Sequence, residues 1–277
     1  MNQSAHDYGD LTADHRDIYY HNIAGIYPLS LSSWEQRKLF RRSRGLTSFE
    51  YLLYLSMKKN GGRINLEEII RCLGAVTMTL RQNPKKALSD LRALGQAIDD
   101  QVPYRDGHSL RVTDHCMAMA DHLGFDDNEK VVLEVAALLH DFGKIGIDEA
   151  ILMKPQQLTP EEKLEINMHV MRGYYMLAGF NELIEALRGI KSHHECYDGT
   201  GHPEGLVKNQ IPLIGRIIAV ADAYDAMTSK RPYRKALTHE QALQELKNNA
   251  GIQFDPAIVK IFIKYLSEKK TSRLAAT

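Results

Sequence analysis

Histidine and aspartate residues recur along this sequence in positions suited to binding metal ions. Seven of their side chains fall on or at the end of a predicted helix: His108, His140, Asp141, His169, His193, His194 and Asp222. Imidazole and carboxylate ligands without cysteine suit iron, manganese or another divalent transition ion better than a structural zinc site built on thiolates. One ion takes only about three or four ligands from a protein. Seven candidates therefore indicate two ions that share a bridging carboxylate.

The simpler alternative is that these are unrelated core or surface residues. That alternative is the better explanation for any one histidine taken alone. It explains poorly the adjacent pair His140–Asp141 at the end of an apolar run, the pair His193–His194, and Asp222 inside the apolar sequence IIAVADAY. A buried aspartate without a partner is energetically costly, and a metal ion would supply the partner. The sequence thus favours a metal site.

The elements that must position these residues are predicted to be helices. Thr159 followed by Pro160 and Glu162 has the pattern of a capped helix start, and Thr238 with Gln241 repeats it. Apolar residues recur at helical spacing in NEKVVLEVAALLH. The sequence predicts an all-α protein with helices at 85–100, 109–123, 128–140, 160–178, 182–195, 213–229, 239–249 and 256–268, preceded by candidates at 33–44, 47–57 and 66–80.

Charge and composition narrow the classes of partner and compartment. The 35 basic residues equal the 35 acidic residues, so no net charge attracts the chain to DNA or to an anionic membrane, and neither partner is expected. No apolar run approaches the ~20 residues of a spanning helix, and no secretory signal is recognisable. Three widely separated cysteines are typical of a reducing compartment. The sequence predicts a cytoplasmic protein.

Five motifs occur in a characteristic order. They are HDFGKIGI, ILMKPQQLTPEE, HHECYDGTGHPEG, IPLIGRIIAVADAYDAMTSKRPYR and QFDP. Over about residues 100–268 the chain resembles the HD-GYP family. The resemblance implies an HD-type helical bundle that hydrolyses the bacterial second messenger cyclic di-GMP, to linear pGpG or to GMP, at a centre of two or three metal ions. It also implies that the seven residues named above are the ligands, with Asp141 as the bridge.

The same resemblance divides the chain into parts. Residues 99–270 correspond to the HD-GYP-like phosphohydrolase domain, and 271–277 form a tail. Residues 1–98 are predicted to be a smaller, mostly helical module of unknown type, with a regulatory or partner-binding role that includes homodimerisation.

Further residues are candidates for catalysis and substrate binding. Lys144, three residues after Asp141, is placed to reach a phosphate oxygen, and the resemblance implies this role too; the alternative is a surface lysine at a turn. Arg231 and Arg234 carry planar guanidinium groups suited to phosphate or guanine edges. Asp225, one helical turn after Asp222, is predicted either to orient a ligand histidine or to contact the substrate.

Two features depart from the family pattern. Gly201-His202-Pro203 stands where the signature has Gly-Tyr-Pro. His202 either still contacts the substrate, or shifts the preference among cyclic dinucleotides, or marks an enzyme with weak or lost turnover. Members with three metal ions carry an acidic residue four positions before the first ligand histidine, where this chain has Tyr104. Two ions, iron or manganese, are therefore expected.

Two other classes of function remain open. A slow or inactive cyclic-dinucleotide receptor that contacts a partner protein would keep the metal ligands and the altered loop. A phosphohydrolase for another nucleotide, or a di-iron oxygenase, would use similar ligands, but the long match through KRPYR and QFDP disfavours both.

Two further histidines, His115 and His122, follow His108 at seven-residue intervals. Neither has an acidic partner that the sequence suggests. Both are predicted to lie on the polar face of the helix at 109–123, outside the metal site.

Overall fold

The computed structural model describes residues 66–99, 107–152, 154, 156–230 and 235–275. Within these ranges the regular secondary structure is helical, apart from an isolated bridge between Ala250 and Phe254. The all-α prediction is confirmed. The predicted helices at 33–44 and 47–57, and the candidate substrate residues Arg231 and Arg234, lie outside the described residues.

The described helices are numbered along the chain. In chain order they are α1 (Leu66–Leu80), α2 (Pro84–Asp99), α3 (His108–Leu123), α4 (Asp127–Leu139), α5 (Glu149–Leu152), α6 (Pro160–Asn167), α7 (His169–Leu177), α8 (Ile184–Ser192), α9 (Leu213–Thr228), α10 (His239–Asn248) and α11 (Pro256–Ala275). Short 3₁₀ helices lie at Phe142–Gly146, Asn181–Leu183 and Lys208–Gln210.

Several helix boundaries follow from capping residues that the sequence identifies. Thr159 and Glu162 form a reciprocal capping box at the start of α6, and Thr238 forms one with Gln241 at the start of α10. Gly124 ends α3 in the left-handed conformation, with φ of 73°, where a side chain would be strained. These local predictions are confirmed.

The core that supports the site is formed by α3, α4, α8 and α9. Helix α4 packs against α3 and α8, and α9 packs against the same two helices. Val112, Leu139, Ile190 and Val220 are fully buried, one from each of the four helices. Helices α1 and α2 add Leu73, Leu91 and Leu94 to the same core, and α2 contacts both α3 and α4.

The helix predicted at 160–178 is instead two helices, α6 and α7, that meet at Met168. At this junction the Ile166 carbonyl accepts a hydrogen bond from Nδ1 of His169. Gly143 lies so close to α7 that an added Cβ would be 2.0 Å from the His169 carbonyl oxygen. Helix α11 continues beyond the predicted end at 268, because the following residues include no proline or glycine.

The prediction for His115 is wrong, and the one for His122 is wrong in part. His115 packs edge-on against Tyr224, Phe262 and Tyr265, with ring centroids 5.2, 5.3 and 5.9 Å away. Burial there lowers the pKa of His115 to about 4. His122 is exposed as expected, but its Nε2 lies 2.9 Å from a carboxylate oxygen of Glu268. That partner is 146 positions away in sequence, so the local pattern gave no sign of it.

Candidate metal centre

Six of the seven predicted ligands form two groups of three. The first triad consists of His108, His140 and Asp222, and the second triad consists of His169, His193 and His194. Within each triad, one potential ligand atom from every residue lies within 4.8 Å of the others. The rings of His140 and His193 are 5.2 Å apart between centroids, so the two triads are neighbours.

Asp141 lies between the two triads and presents one oxygen to each. Its Oδ1 is 3.2 Å from Nε2 of His169 in the second triad. Its Oδ2 is 3.6 Å from Nε2 of His108 and 3.5 Å from Nε2 of His140 in the first triad. A carboxylate in this position is suited to joining two cations, one through each oxygen.

Helix ends supply most of these side chains. His108 begins α3, His140 follows α4, His169 begins α7, and His193 and His194 follow α8. Asp222 projects from the middle of α9 and keeps 19% of its side chain exposed, while most of the histidines are fully buried. Of the seven, only Asp222 and His194 are not fully buried, so the side of the centre nearest to solvent is the one that carries these two residues.

Backbone carbonyls fix the orientation of three ligand histidines. Nδ1 of His140 donates to the Ala137 carbonyl at 2.7 Å, and Nδ1 of His193 donates to that of Ile190 at 2.7 Å. Nδ1 of His169 donates in the same way to the Ile166 carbonyl, at 2.6 Å. Because a carbonyl can only accept, each Nδ1 carries the hydrogen and each neutral Nε2 directs its lone pair into the centre.

Burial keeps His140, His193 and His194 in the neutral form that binds metal. Burial lowers the pKa of His193 to about 3, and the neighbouring His169 acts in the same direction. Burial also lowers the pKa of His140 and His194 well below the usual value. For Asp222, burial alone would raise the pKa, but the imidazoles of His108, His140 and His194 outweigh it and hold the pKa well below its usual range.

The donor set fits divalent transition metals. Five imidazoles and two carboxylates converge, and no cysteine is among them. Nε2 of His140 is fully buried and makes no hydrogen bond with any described residue. A buried polar atom without a partner is costly, and a cation held by the first triad would satisfy it.

Asp225 stands behind the first triad. Its Oδ2 is 2.7 Å from Nδ1 of His108, and Arg111 donates to both of its carboxylate oxygens from the other side. Burial would raise the pKa of Asp225, but His108 and Arg111 lower it to about 2. The contact favours the predicted role of orienting a ligand histidine. Arg111 was not among the predicted residues, because its partner is 114 positions away.

Replacing Asp225 with asparagine should lower Mn²⁺ affinity about tenfold, because residues that hydrogen-bond a ligand histidine contribute about 10–100-fold to metal affinity. The amide oxygen still accepts from His108 but no longer carries the charge that makes its imidazole more basic. Chelator competition measures the change. Asp114→Asn, at an exposed position of α3, should bind Mn²⁺ like the unchanged protein. Equal affinities in the two variants would contradict the role of Asp225.

Lys144 is buried beside the carboxylate of Asp141. Its Nζ lies 2.6 Å from Oδ2 of Asp141, so the alternative of a surface lysine is wrong. The short 3₁₀ helix after Asp141 brings the two side chains together. An ammonium group at this point can also donate to an oxygen of a bound phosphate.

His202 borders the second triad. Its ring centroid is 5.2 Å from that of His194, with the rings tilted by 35°, and its backbone N–H donates to the His194 carbonyl at 3.2 Å. The side chain is half-buried. Burial and then the charge of His169 lower its pKa. The peptide bond between His202 and Pro203 is cis.

Glu195 holds the loop that carries His202. Its buried carboxylate accepts from the backbone N–H of Glu204 at 2.7 Å and from that of Leu206 at 3.0 Å. Gly201 lies against the same segment, where an added Cβ would be 2.1 Å from the backbone nitrogen of Cys196. Sequence reasoning missed Glu195, although its place directly after the histidine pair was a signal.

Replacing Glu195 with alanine should lower the free energy of unfolding by about 2–4 kcal/mol. A hydrogen bond to a charged group contributes about 1.5–3 kcal/mol, and the two N–H donors, on an exposed and a half-buried residue, can turn partly to water. Urea denaturation measures this value. Glu195→Gln retains one carbonyl acceptor and should lose about half as much. Hydrogen exchange should increase at residues 204–206 in the alanine variant. Unchanged exchange there would show that the loop does not depend on Glu195.

Comparison with known proteins places this arrangement in a family. The family model described as HD domain matches residues 92–258, which is more than half of the chain. The chain belongs to the HD domain family. The HD-domain match includes all seven predicted ligands together with Glu195 and Asp225.

Relatives of this HD-domain chain include named phosphodiesterases. It is 41% identical over 170 residues to the cyclic di-GMP phosphodiesterase response regulator RpfG of Xanthomonas campestris, covering 59% of this chain and 45% of that protein. It is 37% identical over 164 residues to the 3'3'-cGAMP-specific phosphodiesterase 3 of Vibrio cholerae, covering 59% and 36%. The chain thus spans less than half the length of these two relatives.

A solved structure supports the HD-domain fold. Bd1817, an HDG"Y"P protein from Bdellovibrio bacteriovorus, superposes with a TM-score of 0.52 at 17% identity, covering 92% of this chain and 81% of that one. No described helix is both long and apolar enough to cross a membrane.

Proposed function

We propose that this chain is a metal-dependent phosphodiesterase that hydrolyses cyclic di-GMP, to pGpG or to GMP. The observation that carries the proposal is the position of Asp141, whose two oxygens face two separate triads of metal-binding side chains. The name of the relative RpfG supports the substrate.

Two divalent ions, iron or manganese, are proposed for the centre, one held by each triad and both by Asp141. Such a pair of cations supplies an activated water and neutralises charge on the phosphoryl oxygens. The ligand carboxylates Asp141 and Asp222 balance only half the charge of two divalent ions. A positive region results in a protein with no net charge, and it would attract the two phosphates of a cyclic dinucleotide.

The protein's own groups are proposed to bind and orient the substrate. Lys144 donates to a phosphoryl oxygen beside the bridging carboxylate. Arg231 and Arg234 contact phosphate or guanine edges. His202 borders the opening at His194, where its ring contacts a base or sugar. Asp225 acts through His108, so the substrate contact considered for it is not proposed.

The remaining proposals concern organisation and location. Residues 99–270 form the catalytic part, 271–277 form a tail, and the segment 1–98 regulates it or mediates association with a second copy or a partner protein. We place the protein in the cytoplasm, since cyclic di-GMP is an intracellular messenger in the family that the sequence resembles.

The proposed function is tested by measuring metal content and nucleotide products on the same anaerobic preparation. The protein is loaded with Fe²⁺ or Mn²⁺ and incubated separately with cyclic di-GMP and with 3'3'-cGAMP. We expect about two ions per chain and conversion of cyclic di-GMP to pGpG or GMP. Saturable binding of cyclic di-GMP without product would show that the protein is a receptor and not an enzyme. Faster hydrolysis of 3'3'-cGAMP would contradict the proposed substrate.

Replacing His202 with tyrosine should raise cyclic di-GMP turnover severalfold if histidine impairs the loop, because tyrosine restores a larger ring and a neutral hydroxyl beside His194. Steady-state rates and the ratio of cyclic di-GMP to 3'3'-cGAMP hydrolysis measure the effect. His202→Phe, which restores the ring without the hydroxyl, separates stacking from hydrogen bonding. An unchanged rate and ratio in both variants would make this position neutral.

A further inference from the structure

Asp99, the last residue of α2, is tied to the first turn of α3. Its side chain is almost fully buried. Oδ2 accepts from the backbone N–H of Ser109 at 2.7 Å, and Oδ1 accepts from the Ser109 hydroxyl at 3.0 Å. Ser109 directly follows His108, the first residue of α3 and a member of the first triad.

The start of α3 needs this contact because its own N-cap supplies nothing. Gly107 occupies the N-cap position in the left-handed conformation, with φ of 65°, and has no side chain to accept from the helix. The first N–H groups of a helix have no partner within it, and the positive end of the helix dipole favours a nearby carboxylate. Asp99, on α2, accepts from one of these N–H groups and places a carboxylate at the positive end of α3.

His108 also differs from the other buried ligands in what orients it. The Nδ1 atoms of His140, His169 and His193 donate to carbonyls three positions earlier, on adjoining helical turns. His108 begins α3 after a glycine, and its Nδ1 is held by Asp225 from α9. Its backbone position therefore depends on how firmly the first turn of α3 is held.

We propose that Asp99 is a positioning residue for the first triad: by holding the first turn of α3, it sets the affinity with which His108, His140 and Asp222 bind their ion. The second triad, carried by α7 and α8, does not use this contact. The inference rests on the proposed metal centre but not on the identity of the substrate. It also makes α2 part of the support of that centre.

The test is Mn²⁺ binding to the full chain, measured by chelator competition and elemental analysis. In Asp99→Ala we expect one ion to keep the affinity of the unchanged protein and the other to bind at least about tenfold more weakly. Asp99→Asn should retain most of the affinity for that ion, since its amide can accept from the Ser109 N–H and donate to the Ser109 hydroxyl oxygen. Ser109→Ala, which removes one of the two bonds, should weaken the same ion by a smaller factor.

The control is Asp90→Asn, which alters a carboxylate on α2 that pairs with Lys86. It should bind both ions like the unchanged protein. If both ions bind equally more weakly in Asp99→Ala and in Ser109→Ala, the role of Asp99 is a general structural one and the proposal is overturned. Unchanged affinity for both ions in the two variants would also overturn it. If Asp99→Ala does not fold, Ser109→Ala decides alone. If the unchanged protein binds two ions but hydrolyses no cyclic dinucleotide, the proposed function is contradicted. The metal-binding test of Asp99 can still be carried out on that protein.

Discussion

Replacing Asp141 with alanine should reduce bound metal to below one ion per chain and lower cyclic di-GMP hydrolysis by at least about a thousandfold, which corresponds to about 4 kcal/mol in activation free energy. Asp141 is the only described carboxylate whose two oxygens face both triads. Its removal takes a ligand from each ion and leaves two neighbouring divalent charges to repel each other without the carboxylate between them. Elemental analysis and product formation on one preparation measure both effects.

Asp121→Ala is a matched control for this change, because it removes an exposed carboxylate from α3, whose partner is Lys130. It should keep full metal content and activity. Circular dichroism should show that both variants are folded. Full metal loading in Asp141→Ala would contradict the bridging role, even if hydrolysis were lost.

The metal-free protein should lose several kcal/mol of unfolding free energy between pH 7.5 and pH 5. An unfolded histidine has a pKa of about 6.5, whereas burial and the neighbouring His169 lower the pKa of His193 to about 3 in the folded protein. Below pH 6.5 the unfolded state therefore binds a proton that the folded state does not. This stability is fully present above pH 6.5 and is lost as the pH falls towards 3.

For His193 alone, the loss at pH 5 amounts to about 2 kcal/mol. The pKa values of His140 and His194 are lowered in the same direction, so they add to it. Since a domain is stable by only about 5–15 kcal/mol, the metal-free protein approaches its unfolding limit in mild acid. Urea denaturation in the presence of a chelator measures the change.

Two comparisons make this pH prediction specific. His193→Gln should show a pH dependence smaller by about 2 kcal/mol, since its side chain does not titrate. His122→Gln should show the full dependence or a slightly larger one, because hydrogen bonds to the Ala118 carbonyl and to Glu268 raise the pKa of His122 and so stabilise the folded protein in acid. The same unfolding free energy at pH 7.5 and pH 5 in the unchanged metal-free protein would contradict the burial of neutral histidines.

Local signals predicted most of the described helices. They also predicted the histidine and aspartate side chains that come together between those helices. Capping residues such as Thr159 and Thr238 act within one helical turn, and a motif such as His140–Asp141 stays together in any fold. The break at Met168 was missed because it depends on the close approach of Gly143 to α7, which no periodicity in 160–178 reveals.

The supporting contacts were harder to predict because they join distant positions. Arg111 and Asp225 are 114 residues apart, and His115 meets aromatic residues from α9 and α11. Helix periodicity indicates which face of a helix is apolar but not which partner it meets. The sequence left two roles open for Asp225, and the 2.7 Å distance between its Oδ2 and Nδ1 of His108 favours the orienting role.

The hydrogen bonds from His140, His169 and His193 to backbone carbonyls have a consequence for which metal ion the protein binds in a cell. Because these bonds lie within the helical framework itself, the three rings are oriented before any ion binds and do not turn to suit one ion in preference to another. Imidazole and carboxylate donors accept many divalent ions, with affinities that follow the Irving–Williams order. If the centre binds two ions as proposed, we expect metal supply in the cell to weigh more than these three ligands in deciding which ion is bound.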